Sequence, residues 1–227
     1  MARKTEDTKR KMTPLASRGA DYVISFLKAQ GVDVIFSLSG NQIMPLYDAC
    51  IEHKMRIIHT CHEAATVYMA DAYAQATGRV GVALVTAGPG VAHTVSALYS
   101  AKMNESPVIL LSGDSPTHQD GKGAFQEMDQ CAITIPIAKI SLRATTTKVL
   151  IEILPHVWHV CASGRLGPVH IALPFDILQT EQDFPTPQKI VRDAQGDDHA
   201  LSPVLTQFME ARCPLILCGP HMNATRT

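Results

Sequence analysis

The sequence predicts an α/β protein, a doubly wound parallel sheet with helices on both faces, followed by the start of a second α/β domain. Two observations predict this class. Segments with strand character, such as residues 80–86, are apolar throughout, and they alternate with helical segments of roughly 10 to 15 residues. A strand that is apolar on both faces must be covered on both faces, and right-handed crossovers then wind the sheet in both directions.

Local patterns predict the elements in order. The first helix follows from apolar residues at the i, i+3, i+4 and i+7 positions, which are Ala20, Val23, Ile24 and Leu27. Gly31 then supplies a helix stop. Helices are predicted over about residues 18–30, 45–53, 63–77, 91–102, 147–162 and 202–212. Strands are predicted over residues 32–36, 56–60, 80–86, 107–112, 137–140, 168–173 and 214–218, with a polar loop over 118–129.

Composition shifts predict four regions. Residues 1–13 are charged and polar and are expected to be a disordered tail, and residues 14–180 form the first domain. Residues 181–200, rich in Pro and Gln, are expected to be a linker. Residues 201–227 provide one helix and one strand, which cannot bury a core alone. We therefore expect them to begin a central domain that is truncated in this chain.

Composition also excludes several classes of protein. The net charge of −1 gives no reason to expect a nucleic-acid partner, and 46% hydrophobic residues indicate a folded globular chain. No apolar run of about 18 residues is present, so no membrane partner is expected. The six cysteines are irregularly spaced, which favours a reducing cytoplasm over a disulfide framework. Two Cys/His groups are expected to pack rather than bind metal: His59 with Cys61 and His62, and Cys213 with Cys218 and His221.

Glu63 is the main candidate for chemistry. It opens a predicted helix and is followed by the apolar residues Ala64, Ala65 and Val67. An apolar setting is what allows a carboxyl group to hold a proton near neutral pH, as proton-transfer chemistry requires. The alternative is an acid that only stabilises the helix dipole, by roughly 0.3 to 1 kcal/mol.

The segment Gly88-Pro89-Gly90 follows an apolar strand and suits a tight turn into a helix, where free backbone N–H groups can meet an anion or a flat ring. It is not a dinucleotide fingerprint, because His93 stands where the third glycine would be. In a parallel sheet, ligands bind outside the carboxyl ends of the strands. The loops expected at that edge are residues 37–41, 61–63, 87–90 and 113–116.

Several short segments occur in the order and spacing of one known family. They are Gly19-Ala20-Asp21, Val34-Ile35-Phe36 with Gly40, His62-Glu63-Ala64, Ala72-Tyr73-Ala74 with Gly78, Gly88-Pro89-Gly90, Pro107-Val108-Ile109, Ala124-Phe125-Gln126-Glu127 and residues 164–169. With these segments the chain resembles, over about residues 14–178, the N-terminal pyrimidine-binding domain of thiamine-diphosphate-dependent enzymes. The resemblance is greatest to the acetolactate synthase branch.

The resemblance implies roles for particular residues. Glu63 would hydrogen-bond N1′ of the cofactor's aminopyrimidine and promote the imino tautomer, whose nitrogen removes a proton from the thiazolium ring. Gly40 and the turn formed by Gly88, Pro89 and Gly90 would border the aminopyrimidine. Phe125 and Gln126 would face the substrate from a neighbouring subunit, although their motif is equally compatible with ordinary loop packing.

The resemblance also implies what this chain lacks. The reaction would be decarboxylation or carboligation of a 2-oxo acid, with only the aminopyrimidine half of thiamine diphosphate bound here. The diphosphate and its magnesium ion would lie in a separate domain of another subunit, so no metal ligand is assigned in this chain. Residues 196–198 and Asn223 imitate the spacing of that domain's motif, but Asp198 stands where glycine is required. The chain is therefore expected to be inactive alone and to assemble as a homodimer or tetramer.

Two departures leave the substrate open. Asn41 follows Gly40 where a second glycine is usual, and Ala87 replaces a usual Ser or Thr. Two alternatives to the enzyme hypothesis also remain open. One is a non-catalytic regulatory or interaction module of the same fold, and the other is one half of a split, two-subunit decarboxylase.

Overall fold

The computed structural model describes residues 17–190, 198–217 and 219, without the side chains of 198–200. A six-stranded sheet forms its centre, in the order β3-β2-β4-β5-β7-β6, and every pairing within it is parallel. Its strands are β2 (Val34–Ser37), β3 (Arg56–His59), β4 (Gly81–Val85), β5 (Val108–Asp114), β6 (Ser141–Arg143) and β7 (Val169–Pro174). Two short strands, β1 (Ser17–Arg18) and β8 (Glu181–Gln182), pair separately and antiparallel.

Helices connect the strands and cover both faces of the sheet. They are α1 (Gly19–Ala29), α2 (Met44–Glu52), α3 (Glu63–Thr77), α4 (Pro89–Ala92), α5 (Val95–Met103), α6 (Gln130–Thr134), α7 (Thr147–Ala162) and α8 (Phe175–Gln179), with α9 (Asp198–Glu210) beyond the sheet. No helix in the described part of the chain is long and apolar enough to cross a membrane.

The apolar strands explain the two cores. Along β4, Val82 and Leu84 belong to the core that contains α1, α2 and α7, while Ala83 and Val85 belong to the core that contains α3 and α5. Alternate side chains of a strand point to opposite faces, so a continuous apolar strand requires a helical layer on each side. The predicted α/β sheet with helices on both faces is confirmed.

The strand order reverses between β2 and β4, because β2 leads to β3 on one side and β4 leads to β5 on the other. A crevice therefore opens outside the carboxyl ends of these two strands, and such crevices are the usual ligand sites of this architecture. This first crevice lies between Ser37 and Val85. A second crevice at the same edge of the sheet lies beside the ends of β5 and β7, at Asp114 and Ala172.

Two predicted elements between residues 89 and 143 are wrong in detail. The single helix expected over residues 91–102 is two helices, α4 and α5, which His93 and Thr94 separate. At this break the Thr94 hydroxyl donates a hydrogen bond to Val91 O at 2.7 Å. The strand expected over residues 137–140 lies at β6, where pairing of Ser141 with His170 sets its position. The polar loop also contains a 3₁₀ turn at Thr117–Gln119.

The predictions near the end of the chain also differ from the structure. Helix α9 begins at Asp198, ahead of the expected start at Ser202. Residues 214–217 form no strand, and Leu215, Ile216 and Leu217 are exposed. A strand needs a neighbour to pair its backbone N–H and C=O groups, and none lies beside this segment in the described part of the chain.

The first half of the predicted linker packs on the sheet domain. The Phe184 ring stacks on Tyr22 with centroids 4.9 Å apart, and Ile190 packs against the core. The Gln30 side chain donates to Gln188 O at 2.8 Å and accepts from Ile190 N at 2.9 Å. Residues 181–190 thus extend the packed unit. The predicted tail over residues 1–13 lies outside the described residues.

Candidate functional site

Glu63 begins α3 directly after β3, at the carboxyl edge of the sheet. His62 caps this helix, because its Nδ1 accepts a hydrogen bond from Ala64 N at 3.1 Å. The Thr66 hydroxyl donates to Glu63 O at 2.6 Å and so fixes the first turn. The Glu63 side chain is 15% exposed and therefore reaches solvent from a mostly enclosed position.

The Glu63 carboxylate has one side-chain partner. Its Oε2 lies 3.0 Å from Nδ1 of His93, and the His93 ring stacks on His62 with centroids 5.4 Å apart. Oε1 makes no hydrogen bond to any described residue. Sequence reasoning missed His93 as a partner of Glu63. The available signal was its position at the end of the short helix that follows the glycine turn.

Gly88 adopts a conformation that favours glycine, with φ of +57° and ψ of −111°. A Cβ at this position would lie 2.7 Å from the backbone oxygen of Gln126. Pro89 then begins α4, so the turn leads directly into a helix start. The glycine turn and the loop that carries Gln126 are therefore in contact.

Gly40 is also required by close packing. A Cβ there would lie 2.3 Å from Cβ of Thr86. The Thr86 hydroxyl donates to Gln42 Oε1 at 2.8 Å, and Gln42 Nε2 donates to the backbone oxygen of Phe125 at 3.2 Å. These contacts join the loop after β2, the end of β4 and the loop that carries Phe125. Sequence reasoning missed Gln42 and Thr86, although each lies one residue outside a strand-end loop that it singled out, residues 37–41 and 87–90.

The loop from residue 121 to 127 is held by one acid. The Glu127 carboxylate accepts hydrogen bonds from the backbone N–H groups of Gly121, Gly123 and Ala124, which lowers its pKa. Gln126 has a φ of +62°, and Phe125 is 73% exposed. The loop thus presents an aromatic ring outward while its backbone lies against the Gly88 turn.

The second crevice contains a denser polar network. Arg143 pairs with Asp114 and with both oxygens of Asp120, the latter at 2.7 and 2.8 Å. Hydrogen bonds to Asp120 raise the pKa of Arg143, and the same contact lowers the pKa of Asp120. Gln130 Nε2 donates to Gly113 O and to Asp114 Oδ1, while its buried Oε1 has no hydrogen-bond partner in the described structure. These residues line a cavity of about 330 Å³.

The edge of the sheet at the carboxyl ends of the strands therefore carries two polar centres, around Glu63 and around Asp114, which differ in whether a carboxylate oxygen is left for a ligand. At Asp114 each carboxylate oxygen is already hydrogen-bonded, to Arg143 or to Gln130 and Ser115 N. At Glu63 one oxygen is fixed by His93, and the other has no hydrogen-bond partner within residues 17–190 or the other described residues. An open carboxylate oxygen beside a glycine turn can exchange a hydrogen bond and a proton with a nitrogen of a bound ring.

Comparison with known proteins gives the family. The model of the thiamine pyrophosphate enzyme N-terminal TPP-binding domain matches residues 17–133, which are 117 of the 227 residues. A probable acetolactate synthase large subunit of Methanococcus aeolicus is 35% identical over 88% of this chain and 35% of its own length. Acetolactate synthase of Mycobacterium bovis is 37% identical over 76% of this chain and 28% of its own length.

A second group of relatives carries a different name. The 2-hydroxyacyl-CoA lyase 2 of Bos taurus is 40% identical over 73% of this chain and 26% of its own length. The chain thus spans between a quarter and just over a third of the length of these relatives. The matched segment, residues 17–133, contains Glu63, the Gly88 turn and Gln126 at one edge of the parallel sheet. The chain belongs to the thiamine pyrophosphate enzyme family and carries its N-terminal TPP-binding domain.

Proposed function

We propose that this domain binds the aminopyrimidine of thiamine diphosphate in a 2-oxo acid decarboxylase or carboligase similar to acetolactate synthase, and that Glu63 activates the cofactor. The state of the Glu63 carboxylate supports this most directly. His93 fixes Oε2 at 3.0 Å, so Oε1 is left in a defined orientation, without a hydrogen-bond partner among the described residues. That oxygen fits a ring nitrogen such as N1′, with which it can share a proton.

The surrounding residues position the ring. Gly40, Gly88, Pro89 and Gly90 border it in this proposal, with the positive φ of Gly88 turning the chain so that backbone rather than side chain meets the ligand. When bound, thiamine diphosphate supplies a thiazolium that accepts the electron pair left by a bond that breaks beside a carbonyl. The contribution of this chain is orientation and proton transfer at Glu63.

Phe125 and Gln126 are proposed to face the substrate. The backbone of Gln126 packs against the Gly88 turn. A movement of the loop from residue 121 to 127 would therefore also shift the turn that is proposed to border the cofactor. The exposed Phe125 ring is available to an apolar substituent of the substrate or to a neighbouring subunit. The side chain of Gln126 adds an amide within 3.5 Å of the Thr86 hydroxyl.

The diphosphate and the magnesium ion are proposed to be held by a domain of another subunit. The group of candidate metal ligands found among the described residues is His62, Glu63 and His93, whose nitrogen donors do not suit Mg²⁺, an ion that prefers oxygen. This domain would then be inactive alone. Residues 196–198 and Asn223 lie partly or wholly outside the described structure.

Assembly as a homodimer or tetramer is proposed through this domain. Helices α3 and α5 pack together, and both carry large apolar side chains that are exposed, which are Tyr68, Met69, Tyr99 and Met103. Exposed apolar side chains on neighbouring helices are typical of a protein interface. No disulfide joins any two of the five described cysteines, which supports a reducing compartment such as the cytoplasm.

Ligand titration of the chain tests the cofactor proposal. We expect thiamine to shift the backbone NMR signals of Glu63, Gly88 and Gly90 weakly, and E63Q to abolish the shifts, while the control E52Q on α2 keeps them. Calorimetry with thiamine diphosphate and Mg²⁺ should show no saturable binding. A dissociation constant near 1 μM, about 8 kcal/mol of binding free energy, would contradict the proposed division between domains.

A chimera tests the activity. Residues 17–190 would replace the matching part of the Mycobacterium bovis acetolactate synthase, and acetolactate formation would be measured. We expect activity that falls at least about a hundredfold with E63Q, the usual size of a lost proton-transfer group. A folded, correctly assembled but inactive chimera would instead favour a non-catalytic module.

A further inference from the structure

The residues around Glu63 also form a group of possible metal ligands. His62, Glu63 and His93 each offer one donor atom, and the three atoms lie within 4.8 Å of one another. Both histidines are exposed and the Glu63 side chain is 15% exposed, so an ion can enter from solvent. We propose that these three side chains bind Zn²⁺ in the cofactor-free chain.

The distances suit zinc after a small adjustment. Two ligands bonded at about 2.0 Å to a tetrahedral zinc ion lie roughly 3.3 Å apart. Nδ1 of His93 and Oε2 of Glu63 are already 3.0 Å apart, so an ion displaces their mutual hydrogen bond and replaces it with two metal bonds. Two imidazoles and one carboxylate, with the fourth position left to water, are an established ligand set for zinc.

His62 must change its hydrogen bonding when it binds the ion. Its Nδ1 accepts from Ala64 N at 3.1 Å, so Nδ1 has no proton in the metal-free chain. A histidine that binds metal through one nitrogen carries its proton on the other, and Nε2 ligation would therefore release the Ala64 N–H. Zinc binding thus has a local signature, a changed environment of the Ala64 amide.

The donor chemistry sets the selectivity. Nitrogen ligands favour Zn²⁺ over Mg²⁺, which prefers oxygen and keeps its own waters. The Cys61 thiol is exposed and adjacent to His62, yet it is not part of the donor group that the described geometry brings together. Zinc at this position would occupy the carboxylate that the proposed function requires. Only this last consequence rests on the proposed function.

Zinc titration of the 227-residue chain against a chelating indicator tests the proposal. We expect one Zn²⁺ per chain, no competition by Mg²⁺ and a shifted Ala64 amide in the NMR spectrum. H93Q should weaken zinc binding by at least about tenfold. Substitution of a residue that only hydrogen-bonds a metal ligand already lowers metal affinity by about that factor, and His93 is proposed to be a ligand itself. His93 is 54% exposed, so this variant should fold.

The matched controls are H59Q and C61S, which alter neighbouring residues outside the donor group. Both should keep the affinity of the unaltered chain. Absence of stoichiometric zinc binding would overturn the proposal. So would binding that H93Q leaves unchanged, or binding that C61S or H59Q removes. Each of these results leaves the thiamine titration to be judged independently.

Discussion

Glu63 and Asp114 are two carboxylates at the same edge of the same sheet, and they have opposite surroundings. Asp114 is 3% exposed, and its oxygens bind Arg143, Gln130 and the backbone of Ser115. Glu63 has one side-chain partner, His93, on one oxygen. A buried carboxylate whose two oxygens are both hydrogen-bonded contributes to the stability of the fold, whereas a carboxylate with one oxygen left without a partner among the described residues can still bind a ligand.

The partners of the two carboxylates differ as well. Arg143 is permanently charged and bridges Asp114 and Asp120, whereas the partner of Glu63 is the single exposed imidazole of His93. A permanent, two-sided ion pair holds the loop from residue 114 to 120 against β6. We therefore expect substitutions around Asp114 to change stability and substitutions around Glu63 to change binding.

The largest effect is expected for R143M. It leaves the nearly buried Asp114 without its cation, and breaking such a pair costs about 3 kcal/mol or more. Urea unfolding monitored by circular dichroism measures this loss. The control R79M breaks the exposed pair with Asp33 and should cost less than about 1 kcal/mol. Equal losses for the two variants would contradict the distinction between the two regions.

Acid sensitivity is expected next, from His170 beside the same network. Burial lowers its pKa to about 3, and its ring lies 2.8 to 2.9 Å from the hydroxyls of Ser112, Thr134 and Ser141. Below pH about 6.5 the unfolded chain binds a proton that the folded chain does not. The unfolding free energy therefore falls as the pH falls from 6.5 towards 3, by up to about 1.4 kcal/mol per pH unit.

H170Q should reduce this pH dependence. Urea unfolding of both proteins at several pH values between 4.5 and 6.5 isolates the contribution of His170 above the range in which most carboxylates titrate. The variant should be less stable at neutral pH, because the three hydroxyls lose their shared partner. Parallel pH curves for the two proteins would show that His170 takes up its proton in the folded chain.

A smaller loss of stability is expected for G88A. A side chain at φ +57° is strained, and its Cβ would also meet the Gln126 backbone at 2.7 Å, so the cost is about 2 kcal/mol. G164A is the matched control, since Gly164 has φ +55° with nothing within 4 Å. Thermal unfolding should rank G88A below G164A. Identical losses would mean that the contact with Gln126 is unimportant.

The smallest loss of stability is expected for E63Q. The amide keeps the shape of the side chain and loses the negative charge that favours the start of α3 and the pairing with His93. Both are interactions near the surface, and we expect a cost of less than about 1 kcal/mol. The same variant should abolish the thiamine-induced NMR shifts. A loss of stability as large as that of R143M would mean that Glu63, like Asp114, mainly stabilises the fold.

Much of this molecule could be predicted from local sequence. The α/β class follows from apolar strands that alternate with helical segments, and the helix over residues 63–77 follows from an Ala-rich segment that Gly78 closes. The helix predicted over residues 147–162 also has the predicted bounds. The sequence predicts β6 over residues 137–140, whereas the strand lies at Ser141–Arg143. Its position depends on pairing with β7, which a local pattern does not contain. A strand over residues 214–218 was expected from composition, but composition does not supply a pairing partner.

The sequence by itself determined the two-faced sheet, the family motifs and the choice of Glu63, since each depends on residue type and short spacing. The tertiary structure decided what Glu63 contacts. His93 is 30 residues away along the chain, and Gln126 reaches the Gly88 turn across 38 residues. Such contacts depend on the spatial order of the strands in the sheet. That order follows from the packing of the whole chain rather than from any local pattern.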